Sequence, residues 1–243
     1  MPGGGSELFI SDLHLSAHEP ATAGRFLAFL AGPARAAARL TILGDLFDYW
    51  AGDDDLSDPF SARIVAALRD ASDAGLAIDF MAGNRDFLAG DAFAAAAGLT
   101  LLPDPSMRAI GGIPTLLMHG DTLCTNDADY QRFRAQVRAP AWRAAFLARP
   151  LAERKREIEA LRARSEAEKR IKPMALMDVN PDAVLAALRA HGARALIHGH
   201  THRQGRHAHV LDGLACPRWV LGDWGPERGA ALVADAAGWR FTG

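Results

Sequence analysis

Asp12 and His14 in "SDLHL", Asp45 in "GDLFD", Asn84 in "GNRD", His119 in "HGD", and His198 and His200 in "HGHTH" are oxygen and imidazole donors. Each follows a short apolar run: "LFIS", "LTILG", "AIDFMAG", "PTLLMHG" and "ALIHG". Every one of these residues can ligate a divalent cation. Carboxylate, amide and neutral imidazole together suit Mn²⁺, Fe²⁺ or Zn²⁺. Asp12 and His14 stand two apart, as do His198 and His200, and in extended chain that spacing turns both side chains to one side. Asp45 has two oxygens and could bridge a pair of ions. A lone "DLH" or "GD" is commonly a turn or helix cap. Five donor-bearing segments in this order fit a pair of metals better. The glycines beside them would let backbone approach the ions. His18, His191, His202, His207 and His209 are not counted as ligands, since single histidines are ordinarily surface residues. Of these, His202 could stand behind a ligand.

Positioning these donors requires strands whose ends meet. The apolar runs read as strands, and alanine-rich segments over 21–31, 61–74 and 181–191 read as helices between them. Such alternation predicts a layered α/β fold with donors at the carboxyl ends of the strands. From Arg132 to Lys172 there are thirteen Lys or Arg against five Glu, a balance of +8 in a chain whose net charge is -2. That stretch reads as helices broken by Pro140 and Pro150. The domain reading is therefore a core of 1–131 and 173–243 carrying a helical insertion over 132–172. Two cysteines cannot build a disulfide framework, "MPGGGS" reads as a flexible lead, and no apolar stretch reaches the roughly 18 residues a membrane span needs. A cytoplasmic chain is the expectation, with any membrane contact made from the surface.

The ordered set "DLH", "GDLFD", "GNRD", "HGD" and "HGHTH" resembles the calcineurin-like metallophosphoesterases. That resemblance implies a four-layer double β-sandwich flanked by helices, and two divalent ions. One ion would be held by Asp12, His14, Asp45 and His200, and the other by Asp45, Asn84, His119 and His198. It also implies in-line hydrolysis at phosphorus, with Asn84, Arg85 and His119 at the reacting centre. In most of that superfamily the residue after the Asn is His, a proton donor; Arg85 cannot donate a proton at neutral pH. A substrate whose leaving group departs as a stable anion is then expected, such as a pyrophosphate, which a guanidinium can neutralise bidentately. Pairing of Arg85 with Asp86 is the bland alternative.

"FISDLHL", "ILGDLFDYWAGDDD", "GNRDFL", "LLMHGDTLCTND", "MDVN" and "LIHGHTHR", with the basic insertion between, are similar to the diphosphatase family of lipid A synthesis that acts on UDP-2,3-diacylglucosamine. This resemblance implies release of UMP and 2,3-diacylglucosamine 1-phosphate, usually with Mn²⁺, by an enzyme peripheral on the cytoplasmic face of the inner membrane. No nucleic acid and no obligate protein partner is expected. Carried over residue by residue, substrate contacts fall on Asn84, Arg85, Asp127, Ser165, Lys172 and His200, with Tyr130 and Arg162 weaker. Lys169 stands where the family often has an amide, and it could meet phosphate or water. Trp142, Phe146, Leu147 and Leu151 among the arginines suggest a cap for acyl chains; plain core is the other reading. "LGDWGPERG" has no assigned role. A general phosphodiesterase using the basic stretch as a phosphate-backbone patch, and a scaffold that binds partners without catalysis, are the competing functions.

Overall fold

The computed structural model describes residues 5–171 and 178–242, the side chains of 166–171 excepted. Four short apolar segments, β1 (Glu7–Ile10), β2 (Arg39–Leu43), β3 (Ala77–Met81) and β4 (Thr100–Leu102), lie parallel, with β2 between β1 and β3. β10 (Leu232–Asp235) and β11 (Gly238–Phe241) extend this sheet antiparallel to β1, giving the order β11-β10-β1-β2-β3-β4. A second sheet runs β5-β6-β7-β9-β8, from β5 (Ser106–Ile110), β6 (Ile113–Met118), β7 (Ala195–His198), β8 (Gly205–Leu211) and β9 (Leu214–Val220), with β6, β7 and β9 parallel.

Parallel strands bury both faces, which is why their sequences are continuous apolar runs. Phe9, Leu43 and Met81 of the first sheet meet Leu117 and Ile197 of the second in one buried cluster. On the outer face of the six-stranded sheet, Leu8, Ile10, Leu40, Ile42 and Phe80 pack with α1 (Pro20–Ala31), α2 (Pro59–Asp73) and α3 (Asp91–Ala97). On the outer face of the five-stranded sheet, Leu116 and Leu196 pack with Val184 and Leu188 of α7 (Pro181–His191). Four layers result, helix, sheet, sheet, helix, as the resemblance implied. Local chemistry sets the helix starts: Asp58 accepts from the Phe60 and Ser61 amides ahead of α2 with Pro59 in its first turn, and Asn180 accepts from Asp182 ahead of α7.

The basic stretch forms α4 (Ala128–Arg138), α5 (Pro140–Leu147) and α6 (Leu151–Ile171), with breaks at the two prolines. α4 begins four residues before Arg132, because Asp127 caps it by accepting from the Tyr130 amide at 3.2 Å. Part of the charge of this stretch is spent on the core. Arg154 is 1% exposed and donates to the Ala51 carbonyl, to Asp54 and to the Arg149 carbonyl. Lys155 pairs with Asp55 at 2.8 Å, and Arg162 with Asp48. Phe146 is buried in the same cluster as the outer face of the first sheet, with Trp142 stacked on it at 4.6 Å and packed against that cluster. These two rings pack α5 onto the core. No helix among the described residues is long and apolar enough to cross a membrane.

Candidate metal centre

β1, β2, β3, β6 and β7 all end at one edge of the sandwich, and the loops that follow carry the donors. Asp45, after β2, lies centrally: its Oδ2 is 3.9 Å from His14 Nε2 and its Oδ1 is 3.8 Å from His119 Nε2. On one side His14 Nε2 and His202 Nε2 are 3.3 Å apart, and His202 Nε2 is 3.4 Å from Asp12 Oδ1. On the other side Asn84 Oδ1 is 3.0 Å from His119 Nε2 and 2.9 Å from His200 Nδ1. The donors thus form two groups that share Asp45: Asp12, His14 and His202 with it, and Asn84, His119 and His200 with it. Asp12 Oδ1 is buried and, beyond the long contact to His202, accepts no hydrogen bond, so it faces the first group under-satisfied. Buried acceptors are costly to leave unpaired, so a divalent cation fits what these residues leave unsatisfied.

The backbone is arranged around this requirement. Six non-glycine residues among those described have positive φ, and five are Asp12 (56°), His14 (48°), Asp45 (55°), His200 (68°) and His202 (58°). The left-handed region costs L-residues energy and is retained where surrounding structure enforces it, typically at functional sites. Asp86 supplies much of that enforcement. Fully buried, its carboxylate accepts from the backbone amides of Gly83 (2.7 Å), Leu46 (2.7 Å), Asp45 (3.3 Å) and Phe47 (3.4 Å), stitching the loop after β3 to the loop after β2. The glycines admit this packing: a Cβ on Gly83 would stand 2.1 Å from Asp45 Oδ1, and one on Gly199 would stand 2.4 Å from Asp12 Oδ2. The close approach seen at these two glycines is to the side chains of candidate ligands.

His198 joins neither group, contrary to the expectation from spacing. It is fully buried, its Nδ1 lies 2.8 Å from the Gly199 carbonyl and its Nε2 lies 3.1 Å from Arg218 Nη1. Since guanidinium can only donate, Nε2 accepts and Nδ1 carries the proton. His200 likewise sits with Asn84 and His119 rather than with Asp12 and His14. The physical reason is that β7 ends at His198, and His200 and His202 both adopt left-handed backbone, so two-residue alternation no longer describes the chain. His202, set aside on sequence, occupies the position beside Asp12 and His14. The signal that could have found it is the third donor of "HGHTH" itself.

A family model described as calcineurin-like phosphoesterase matches residues 8–204. The chain belongs to that family. It is also 54% identical over 219 residues to the UDP-2,3-diacylglucosamine hydrolase of Aromatoleum aromaticum, covering 90% of this chain and 89% of that one. Identity is 50% over 222 residues with the protein of the same name from Chromohalobacter salexigens (91% and 90% covered) and 49% over 220 residues with that from Escherichia coli O81 (90% and 91% covered). The phosphoesterase family implies divalent metal ions, and in each of two sets here, Asp12, His14 and His202, and Asp12, Asp45 and His119, candidate ligand atoms lie within 4.8 Å of one another.

Electrostatics at this phosphoesterase centre fit a cation site. Burial, with Asp86 and Asp12 nearby, pushes the Asp45 carboxyl up to about 7. Burial lowers His119, but the neighbouring carboxylates of Asp45, Asp121 and Asp12 outweigh it and carry it up to about 9. Burial and the nearby His119 lower His200 to about 3, so it is a neutral imidazole at ordinary pH. Of the remaining candidates, Arg85 is half-buried directly after Asn84, its amide donating to Asp45 Oδ1 at 2.8 Å. Tyr130 stacks on His200 with ring centroids 5.9 Å apart. Asp127 serves as the α4 cap, Arg162 lies over the Tyr49 ring, and Ser165 is half-buried on α6. The side chain of Lys169, and Lys172 altogether, lie outside the described residues.

Proposed function

We propose that this chain is a metal-dependent hydrolase that splits the pyrophosphate of UDP-2,3-diacylglucosamine, releasing UMP and 2,3-diacylglucosamine 1-phosphate for lipid A synthesis. The observation that carries the reading is the pair of donor groups sharing Asp45, set beside Arg85, in a chain about half identical to relatives named for that hydrolysis. Two divalent ions, in our reading Mn²⁺, would be held by Asp12, His14, Asp45 and His202 and by Asp45, Asn84, His119 and His200. Bound there, they would supply a water of lowered pKa and a clamp on phosphoryl oxygens.

The chain's own groups do the rest. Arg85 neutralises the diphosphate, so that the acylated sugar phosphate leaves as an anion without a proton donor. Asn84 and His200 hold the α-phosphoryl group in place, and Asp127, Ser165, Lys169 and Lys172 contact the sugar and phosphates. The insertion over 132–172 receives the acyl chains at the surface of the inner membrane, where Phe133 and Leu147 are its exposed large apolar side chains among those described. The enzyme is peripheral on the cytoplasmic face and works without nucleic acid or an obligate protein partner.

Incubation with Mn²⁺ and UDP-2,3-diacylglucosamine, a nitrophenyl phosphodiester, or nucleic acid tests the proposal. Release of UMP from the first, far above turnover of the others, is expected. Comparable turnover of all three would mean a general phosphodiesterase.

A further inference from the structure

Tyr130, Arg134 and Arg138 stand at i, i+4 and i+8 of α4 and therefore share one face of that helix. Tyr130 touches one ligand of the Asn84, His119 and His200 group, and the two arginines bond residues that neighbour or hold the other two. The Tyr130 ring lies on His200, tilted by 29°, and its hydroxyl donates to Asp121 Oδ2 at 2.7 Å. Arg134 Nε donates to that same oxygen at 2.7 Å, and its Nη2 reaches Asp104 Oδ2 at 3.3 Å. Asp104 Oδ1 in turn accepts from the backbone amide of His119 at 3.3 Å. Arg138 Nη2 donates to the Gly83 carbonyl at 2.8 Å, the peptide that leads into Asn84. Asp121 is itself fully buried two residues after His119. Through its bonds from Tyr130 and Arg134, Asp121 ties the helix to the loop after β6.

We propose that α4 is the positioning element of this one donor group, with Tyr130, Arg134 and Arg138 setting His200, His119 and Asn84 respectively, while the Asp12, His14 and His202 group is set by other loops. The inference rests on the proposed pair of ions. Asp12 and His14 are held by backbone bonds from Asp12 to Gly44 (3.1 Å), from His14 to Asp45 (2.9 Å) and from Trp224 to Asp12 (3.0 Å), and His202 Nδ1 lies 3.8 Å from Asp223 Oδ2. A splint of this kind acts by fixing ligand orientation before an ion arrives. Groups that orient ligands in this way typically contribute 10- to 100-fold in metal affinity.

Apo-protein titrated with Mn²⁺, with binding followed calorimetrically and the spin coupling of adjacent Mn²⁺ ions followed by electron paramagnetic resonance, tests this without reference to turnover. Arg138→Gln and Arg134→Gln should each weaken one binding step about 10-fold or more, leave the other within about twofold, and convert the coupled signal to that of an isolated ion at intermediate metal. Tyr130→Phe, which keeps the ring on His200, should do less than Tyr130→Leu. Arg132→Gln, 74% exposed on the opposite side of α4, should change nothing. Combining Arg138→Gln with Asn84→Ala should add nothing beyond Asn84→Ala, since both act on one group. Equal weakening of both steps, or no weakening of either in protein whose melting temperature is unchanged, overturns the splint. If Arg134→Gln does not fold, the half-buried Arg138 decides alone. A wild-type protein that binds no ion pair refutes the proposed centre itself, whereas two ions bound with unchanged affinity in the variants refute only the role of α4.

Discussion

Asp45 and Arg85 separate two demands that phosphoryl hydrolysis makes on single residues. Asp45 faces both donor groups with one oxygen each, so Asp45→Ala should remove both ions together; elemental analysis of the purified variant should find at most one-tenth of the wild-type content, and retention of either ion would mean another group bridges. In the proposed function Arg85 would meet the substrate rather than the ions, so Arg85→Ala should keep both metals and lose about 100-fold or more in kcat, as expected when a charge-assisted contact to the reacting phosphates is removed. Normal turnover would return Arg85 to a purely structural role. Protons compete with the ions at Asp45 and His119, whose folded-state values lie up at about 7 and about 9. A ligand must be deprotonated, so Mn²⁺ affinity should rise from pH 6 to pH 9 with release of protons, and calorimetry in buffers of different ionisation heat should show that release. A flat profile would contradict these shifts.

Among the elements, the loops after β2 and β3 act as one unit because Asp86 holds them from beneath. Removing its carboxylate strands buried backbone donors, each costing about 1 to 3 kcal/mol when left unpaired, so Asp86→Ala should lower folding stability by at least about 3 kcal/mol in urea unfolding of the metal-free protein. A loss near zero would show the loops hold their left-handed backbone unaided. This also answers why "GNRD" ends in Asp: the residue is an internal brace, and its charge is satisfied by amides of Gly83, Leu46 and Asp45. The strand runs ending at Ile10, Leu43, Met81, Met118 and His198 were legible because buried parallel strands demand continuous apolar sequence. The helix α3 and the strands β8 to β11 were not, since α3 has seven residues and β8 is exposed or half-buried along nearly all its length, with no apolar run to mark it.

Over the whole molecule, the insertion is bound to the core by charge as well as by rings. Arg154, the largest fully buried side chain among those described, crosses from α6 to Ala51 and Asp54, beside Lys155 on Asp55 and Arg162 on Asp48. Arg154→Met removes the donors and leaves the Ala51 and Arg149 carbonyls without them. Proteolysis within α5 and α6 should then accelerate about 10-fold, corresponding to a loss near 1.4 kcal/mol of local stability, while metal content stays normal. Unchanged proteolysis would show that Phe146 and Trp142 suffice as the anchor.

Residue types and order alone determined the strand-end donors, the presence of a basic helical insertion and the family resemblance, because apolar periodicity and donor chemistry are local properties. Which histidines face which group was decided only by tertiary structure. Spacing is informative while the chain stays extended; after β7 it turns through left-handed residues, sending His198 to Arg218 and bringing His202 to Asp12. The same holds for the insertion's arginines, whose positive charge was plain in the sequence but whose partners on 48–55 lie about a hundred residues away along the chain. Contacts of that separation follow from how the layers pack, and no short stretch of sequence encodes them.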